Sequence, residues 1–273
     1  MINTDLSKTT NKSDFDFTLI TPTLNAEKWI KKLLDSIAEQ ESDLSIQHIV
    51  VDGGSNDNTL SILREHQIEH YIKEGYSIYE AHNYGIKKSK GKLIGFINCD
   101  DKYSSKDVLI KVKEEYLKNP KVDLIYGNCN FVNSKGKILY TMKPPRNFNP
   151  TISKLRTFNI SHPSWFAHRS VFSKIGFYDT QWKFVSDMDF ILRAINYPLR
   201  FKKIDLNIAD FLRHEENASS SKEANREGVS FFMKVNGNSK LKRVFHTFLL
   251  GVSFLRDYRY LIFYFRRFFK IET

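Results

Sequence analysis

Three short polar clusters carry the residue types from which a phosphate-handling site can be made. Asp100 and Asp101 stand side by side after the apolar run Leu93-Ile94-Gly95-Phe96-Ile97. Two adjacent carboxylates at the end of a buried strand repel each other, and a hard divalent cation such as Mg²⁺ or Mn²⁺ relieves that repulsion. Such an ion bridges to a diphosphate and takes up charge on a leaving nucleotide. The plainer alternative is a helix-capping pair ahead of Ser104-Ser105. Asp52-Gly53-Gly54-Ser55-Asn56-Asp57 is the second cluster. Its glycines allow close backbone approach, and Asp52 can accept hydrogen bonds from a base or ribose. Here the alternative is a tight turn capped by Asp57. Thr21-Pro22-Thr23-Leu24-Asn25 is the third.

The elements around these clusters must position them. Residues 15–21 and 46–51 read as buried strands, 70–73 as a weak strand and 92–97 as another. Trp29, Ile30, Leu33, Leu34 and Ile37 recur on one helical face, with Asn25 as the expected cap. Residues 58–66 and 78–89 read as helices, and Val108, Leu109, Val112, Tyr116 and Leu117 mark the next one. Strand and helix thus alternate over the first 120 residues, which predicts βαβ units and a parallel sheet covered on both faces. Ligands bind outside the carboxyl ends of such strands, where all three clusters fall. Beyond residue 120, segments 124–132 and 137–142 flank Asn133-Ser134-Lys135-Gly136, a hairpin signal. Mixed short elements follow to about residue 221, and the chain then turns helical, basic and aromatic.

Composition narrows the class. The 273 residues are 41% hydrophobic and 27% charged, which excludes a collagen-like, mucin-like or wholly disordered chain. The excess of 42 Lys and Arg over 31 Asp and Glu calls for an anionic partner: nucleotide phosphates, nucleic acid or an anionic membrane surface. Cys99 and Cys129 make neither a disulfide framework nor zinc-site spacing, so a reducing compartment is expected. Residues 1–14 read as a disordered tail without the apolar core of a cleaved signal. Residues 248–255 form the longest apolar stretch, far short of the roughly twenty residues a membrane-spanning helix needs.

The three clusters carry a family resemblance. Ile20-Thr21-Pro22-Thr23-Leu24-Asn25, then His48-Ile49-Val50-Val51-Asp52-Gly53-Gly54-Ser55-Asn56-Asp57-Asn58-Thr59, then Phe96-Ile97-Asn98-Cys99-Asp100-Asp101 resemble the family-2 glycosyltransferases in order and spacing. Ser77-Ile78-Tyr79-Glu80-Ala81-His82-Asn83-Tyr84-Gly85 is similar to the family's Ile-Tyr-Asp-Ala-x-Asn-x-Gly stretch, with Glu80 at the Asp position. The resemblance covers residues 16–215. It implies a GT-A fold (Rossmann-like, with a mostly parallel central sheet and helices on both faces) over 15–221. It also implies transfer of a sugar from a nucleotide diphosphate sugar, a UDP-sugar, with inversion. Charge and helical spacing make 222–273 a basic amphipathic helical region.

Site residues follow from the same resemblance. Pro22, Thr23 and Asn25 line the nucleotide pocket together with Ser55, Asp52 contacts the base, and Asn83 and Gly85 sit near the donor. The family's metal motif is Asp-x-Asp, and Asn98 stands at its first position here. That departure leaves Asp101 as the first ligand of a divalent cation, Mn²⁺ or Mg²⁺. Asp100 becomes a ribose, sugar or metal contact, Asn98 remains a donor contact, and His214 reaches for the diphosphate or the metal. Inverting transfer needs a base on the acceptor hydroxyl, and a carboxylate serves if held close to it. In the family it comes from a Glu-Asp motif at a helix start. Ser186-Asp187-Met188-Asp189 fits that place, so the base is assigned to Asp187. The alternative is that Asp187 caps the helix and Asp189 pairs with Arg193 one turn on. Ser161-His162-Pro163-Ser164-Trp165-Phe166 resembles the acceptor-side segment, which puts His162, Trp165 and Asp189 on that side. Trp165 or Trp182 could stack on a sugar face, although a lone Trp is more often core.

Residues 234–270 hold nine Lys and Arg against one acid. Leu241, Val244, Phe245, Phe248, Leu249, Val252 and Leu255 repeat at helical spacing, as do Tyr258, Leu261, Ile262, Phe265, Phe268 and Phe269. Basic polar faces beside Phe-rich apolar faces suit an anionic bilayer, so 240–270 is expected to hold the enzyme peripherally on the cytoplasmic face of the inner membrane. The same stripes would also suit packing on the catalytic domain or on a second subunit. The acceptor expected is a saccharide or lipid-linked sugar of surface polysaccharide synthesis. Nucleic acid is excluded as a partner, since the charge is gathered in an amphipathic tail and no recognition motif is present. The rivals are a nucleotidyltransferase, which lacks its Gly-rich basic loop here, and a transferase-like chain that binds nucleotide without turnover.

Overall fold

The computed structural model describes residues 15–40, 43–146, 160–214, 217–218 and 221–236. Within them the chain runs β1 (Phe15–Thr23), α1 (Ile30–Ala38), β2 (Ile46–Asp52), α2 (Thr59–Glu65), β3 (Glu69–Ile72), α3 (Ile78–Lys88) and β4 (Gly91–Phe96). It continues through β5 (Lys102–Tyr103), α4 (Val108–Lys118), β6 (Leu124–Val132), β7 (Ile138–Met142) and a 3₁₀ turn over His162–Ser164. Then come β8 (Trp165–His168), α5 (Ser170–Ile175), α6 (Ser186–Ile195), β9 (Phe201–Leu212) and α7 (Lys222–Asn236). The expected tail over 1–14 and the amphipathic stripes beyond residue 240 lie outside the described residues. No described helix is long and apolar enough to cross a membrane.

Among the described residues, nine strands form one sheet in the order β3-β2-β1-β4-β8-β6-β9-β5, with β7 paired to β6. The first four strands are parallel throughout, as the strand–helix alternation predicts. The second half is mixed: β8 is antiparallel to β4 and β6, whereas β9 is parallel to β6. Strands β1 and β2 are buried almost end to end, as parallel strands covered on both faces must be. Side chains alternate between the faces. Phe17 and Leu19 of β1 join Ile30, Leu33, Leu63, Leu109 and Val112 from α1, α2 and α4. Ile20 faces the other way, toward Tyr79, Ile86, Phe172 and Phe190 from α3, α5 and α6.

Two local devices set the elements that matter for the site. Helix α3 opens on a capping box, in which Ser77 N–H donates to Glu80 Oε2 at 2.8 Å and Ser77 Oγ accepts from Glu80 N–H. Glu80 at the family's Asp position therefore fixes where α3 starts. Gly85 lets α3 lie against β1, since a Cβ there would stand 2.5 Å from Ile20 Cγ2. Asn25 does not cap α1 as expected. It sits in the left-handed region at φ 51°, and α1 begins at Ile30.

Candidate active site

The carboxyl ends of β1, β2 and β4 lie together because neighbouring strand ends bond in register. Thr23 pairs with Asp52, and Ile97 N–H donates to Ile20 O at 3.2 Å. The loops beyond them are stitched to each other. Gly53 N–H donates to Thr23 O at 2.8 Å, Asn25 N–H to Ser55 Oγ at 2.8 Å, and Asn56 N–H to Asn25 Oδ1 at 3.0 Å. Asn25 and Ser55 are thus brought together. Pro22 and Thr23 are buried inside the strand end, and Thr23 Oγ1 has no partner among the described residues. Asp52 has no exposed surface. Its Oδ1 accepts from Gly54 and Ser55 N–H at 2.9 and 2.7 Å, and its Oδ2 from Ser55 Oγ at 2.6 Å. The carboxylate shapes the loop, so the direct base contact expected of it gives way to holding Ser55.

Asp100 and Asp101 have opposite fates, and the structure corrects the ligand order expected from the sequence. Asp101 is 1% exposed. Its Oδ1 accepts from Leu212 N–H at 3.0 Å and its Oδ2 from Asn98 Nδ2 at 2.8 Å. Burial, with Asp100 alongside, pushes its carboxyl well above the usual carboxylate range. Asp101 therefore ties β4 to the end of β9 and is turned away from any ion at the rim. Asn98 serves Asp101 rather than a donor. Asp100 lies at the rim, where its Oδ2 accepts from His214 Nε2 at 2.8 Å and from Asn217 Nδ2 at 3.0 Å. No donor from the described residues reaches its Oδ1. The His214 ring stacks on Trp29 with centroids 4.9 Å apart and planes 24° apart. Thus the loop after β9 joins the β4 rim to the loop ahead of α1.

Asp187 lies in the first turn of α6, half-buried. The Tyr79 hydroxyl donates to its Oδ1 at 2.8 Å and to Phe184 O at 3.1 Å. Burial pushes the Asp187 carboxyl up to about 6, against the downward pull of that hydrogen bond. A carboxylate poised there can accept a proton near neutral pH. Tyr79 lies in the first turn of α3, and Gly75, just ahead of that helix, donates its N–H to Gly53 O at 3.2 Å.

Four more expected site residues turn out to be scaffold, and a fifth pairs off. Asn83 holds Tyr178 from both sides, with Nδ2 donating to Tyr178 O at 2.9 Å and Oδ1 accepting from Tyr178 N–H at 3.0 Å. Gly85 is buried under β1. Trp165 is 1% exposed and stacks on Phe190 at 5.5 Å, out of a sugar's reach. His162 bonds Tyr178 Oη through Nε2 at 2.8 Å and stacks on Phe96 at 4.9 Å, and burial pushes it down to about 3. Asp189 Oδ2 accepts from Arg193 Nε at 2.8 Å, the pairing weighed as an alternative above. Trp182 packs edge-on against Phe231 of α7 at 5.3 Å. Sequence reasoning passed over Tyr79, Trp29 and Asn217. The Ser77–Glu80 capping signature could have fixed Tyr79 in the first turn of α3, whereas nothing local marks Trp29 or Asn217.

Comparisons with known proteins bear on the family and the fold. The family model described as Glycosyl transferase family 2 matches residues 18–176. A PGL/p-HBAD biosynthesis glycosyltransferase of Mycobacterium bovis (strain BCG / Pasteur 1173P2) is 30% identical over 189 residues, which is 67% of this chain and 70% of its own. S. aureus TarS 1–349 in complex with UDP-GlcNAc matches with a TM-score of 0.62 at 21% identity, covering 85% of this chain and 69% of that one. This chain spans 60% of another TarS 1–349 structure and 44% of a longer TarS chain. Mannosyltransferase PcManGT of Pyrobaculum calidifontis, in complex with GDP-Man and Mn²⁺, matches at 0.56 and 18% identity, over 90% of this chain and 71% of that one. At these identities the structural likeness is one of fold, and the fold is GT-A. With the family model covering more than half of its residues, the chain belongs to Glycosyl transferase family 2 and is a glycosyltransferase.

Proposed function

We propose that the chain transfers a sugar, with inversion, from a UDP-sugar to a saccharide or lipid-linked acceptor in cell-surface polysaccharide synthesis. The observation that carries this reading is Asp187, a half-buried carboxylate at the start of α6 that the Tyr79 hydroxyl holds at 2.8 Å and burial raises to about 6. TarS in complex with UDP-GlcNAc supports a UDP-sugar, and the M. bovis relative named for PGL/p-HBAD biosynthesis supports a surface-glycoconjugate acceptor. In this reading Asp187 Oδ2 takes the proton of the acceptor hydroxyl while Oδ1 keeps the Tyr79 hydrogen bond. The acceptor oxygen bonds the anomeric carbon as the bond to the diphosphate breaks. Asn25 and Ser55 face the nucleotide, and Trp29 with His214 closes the side of the cleft.

The residues present fit a divalent cation, Mn²⁺ or Mg²⁺. Asp100 Oδ1 receives no donor from the described residues, while Oδ2 is oriented by His214 and Asn217. The described residues contain no cluster of three or more His, Cys, Asp or Glu able to hold a metal. A lone oriented carboxylate suits an ion whose other ligands are waters and substrate phosphates. Asp100, with His214 behind it, would hold the ion, which when bound neutralises charge on the diphosphate. Residues 240–270 would hold the enzyme on an anionic membrane at the cytoplasmic face. The test is a panel of nucleotide sugars with Mn²⁺ or Mg²⁺ and chelator controls. Turnover of a UDP-sugar, lost in chelator, is expected. A panel without turnover overturns the transferase reading, and full activity in chelator overturns the cation. Flotation with anionic liposomes tests the membrane contact: equal flotation of the full chain and a chain ending near residue 238 would remove it.

A further inference from the structure

Helix α7 carries a carboxylate onto the segment that leads into the base. Glu227 Oε1 accepts from Phe184 N–H at 2.6 Å and from Val185 N–H at 3.0 Å, and Oε2 accepts from Lys183 N–H at 2.9 Å. These three donors lie just ahead of α6, where no intrahelical carbonyl can reach them. Trp182, one residue further back, packs on Phe231 and lies 4.9 Å under Lys234 Nζ, both from α7. From the opposite side the Tyr79 hydroxyl bonds Phe184 O and Asp187 Oδ1. Residues 183–187 are therefore clamped between α3 and α7. Three amide donors on one carboxylate make a charge-assisted set stronger than neutral hydrogen bonds.

We propose that Glu227 is a positioning residue for sugar transfer: it fixes 183–185 so that Asp187 meets the acceptor hydroxyl. The inference rests on the reading of Asp187 as the base. It gives α7 a part in turnover although the helix lies beyond the matched family region, which ends at residue 176. Misplacing a catalytic group by about an ångström costs up to roughly a hundredfold in rate.

The test uses the full chain with Glu227→Ala, Glu227→Gln and Glu223→Gln, the last an exposed acid on the same helix. Amide hydrogen exchange over 183–187 is read without substrate, and kcat and donor KM are read with sugar nucleotide and Mn²⁺. Glu227→Ala is expected to speed exchange about tenfold. It is expected to lower kcat by about tenfold to a hundredfold while donor KM stays within about twofold. Glu227→Gln keeps a carbonyl oxygen for Phe184 and Val185 N–H and should recover most of kcat. Glu223→Gln should match the unmodified chain. Unchanged exchange in Glu227→Ala overturns the inference, as does an unchanged kcat or an equal loss of donor affinity. Exchange needs no turnover. An unmodified chain that binds sugar nucleotide yet transfers nothing therefore sinks the base assignment, and exchange alone then judges the clamp.

Discussion

The loops proposed to face the donor and the segment proposed to carry the base are built in different ways. On the donor side, short loops at adjacent strand ends hold one another: Asp52 organises Gly54 and Ser55, Ser55 accepts from Asn25, and Asn25 accepts from Asn56. Each contact joins residues within one loop or across one parallel strand pair. On the proposed acceptor side, Asp187 bonds Tyr79, 108 positions away in sequence, and the segment leading into it bonds Glu227 of α7. The strand-end loops follow from strand register, and the setting of Asp187 follows from how helices from three parts of the chain dock. The donor side should thus tolerate disturbance of distant helices, and the base should not.

The largest effect is expected for Asp187→Asn, which removes the proton acceptor. Turnover should fall by about a hundredfold or more with donor KM nearly unchanged. An unchanged kcat would reject the assignment. Asp100→Asn against Asp101→Asn comes next. The first should raise the Mn²⁺ concentration for half-maximal activity by about tenfold or more. The second should leave that concentration alone and cost about 1–3 kcal/mol of stability, because Asn keeps one acceptor oxygen and sets its NH2 against the other of the two buried donors, Leu212 N–H and Asn98 Nδ2. Titrations with Mn²⁺ and thermal melts separate the two, and a reversed pattern would return the ion to Asp101.

Tyr79→Phe tests the link between the sides. A base must be ionised, so kcat should fall as pH drops through about 6. The Tyr79 hydrogen bond favours the carboxylate, and its loss moves the Asp187 carboxyl further up. The acid limb of the pH profile should shift to higher pH, with a severalfold loss near pH 6 and little at about pH 8. Gly85→Ala should cost about 1–3 kcal/mol in a thermal melt through contact with Ile20, without altering the pH profile. Asp189→Asn should be smallest, at most about 1 kcal/mol for a partly exposed pair, with acceptor KM unchanged.

Much of the donor side was legible in the chain itself. Alternating apolar runs predicted β1 through β4 and their parallel pairing, and turn chemistry predicted the β6–β7 hairpin. The polar clusters had to fall at strand ends, because glycine, proline and adjacent acids terminate buried strands. Their roles were less legible. Asp100 and Asp101 are the same residue type one position apart. Only the arrival of β9, with Leu212 N–H for Asp101 and His214 for Asp100, decides which carboxylate turns inward. Trp165 and His162 likewise became core when Phe96, Phe190 and Tyr178 closed around them.

The amino-acid order by itself determined the elements, the strand register and the rim at which polar residues gather, since periodicity and turn chemistry act over a few positions. Tertiary structure alone decided which acid stays at the rim and which turns inward, which is raised to about 6 and what holds it. Burial and hydrogen-bond partners are properties of the packed chain: Tyr79 stands 108 positions from Asp187, Leu212 111 from Asp101 and His214 114 from Asp100.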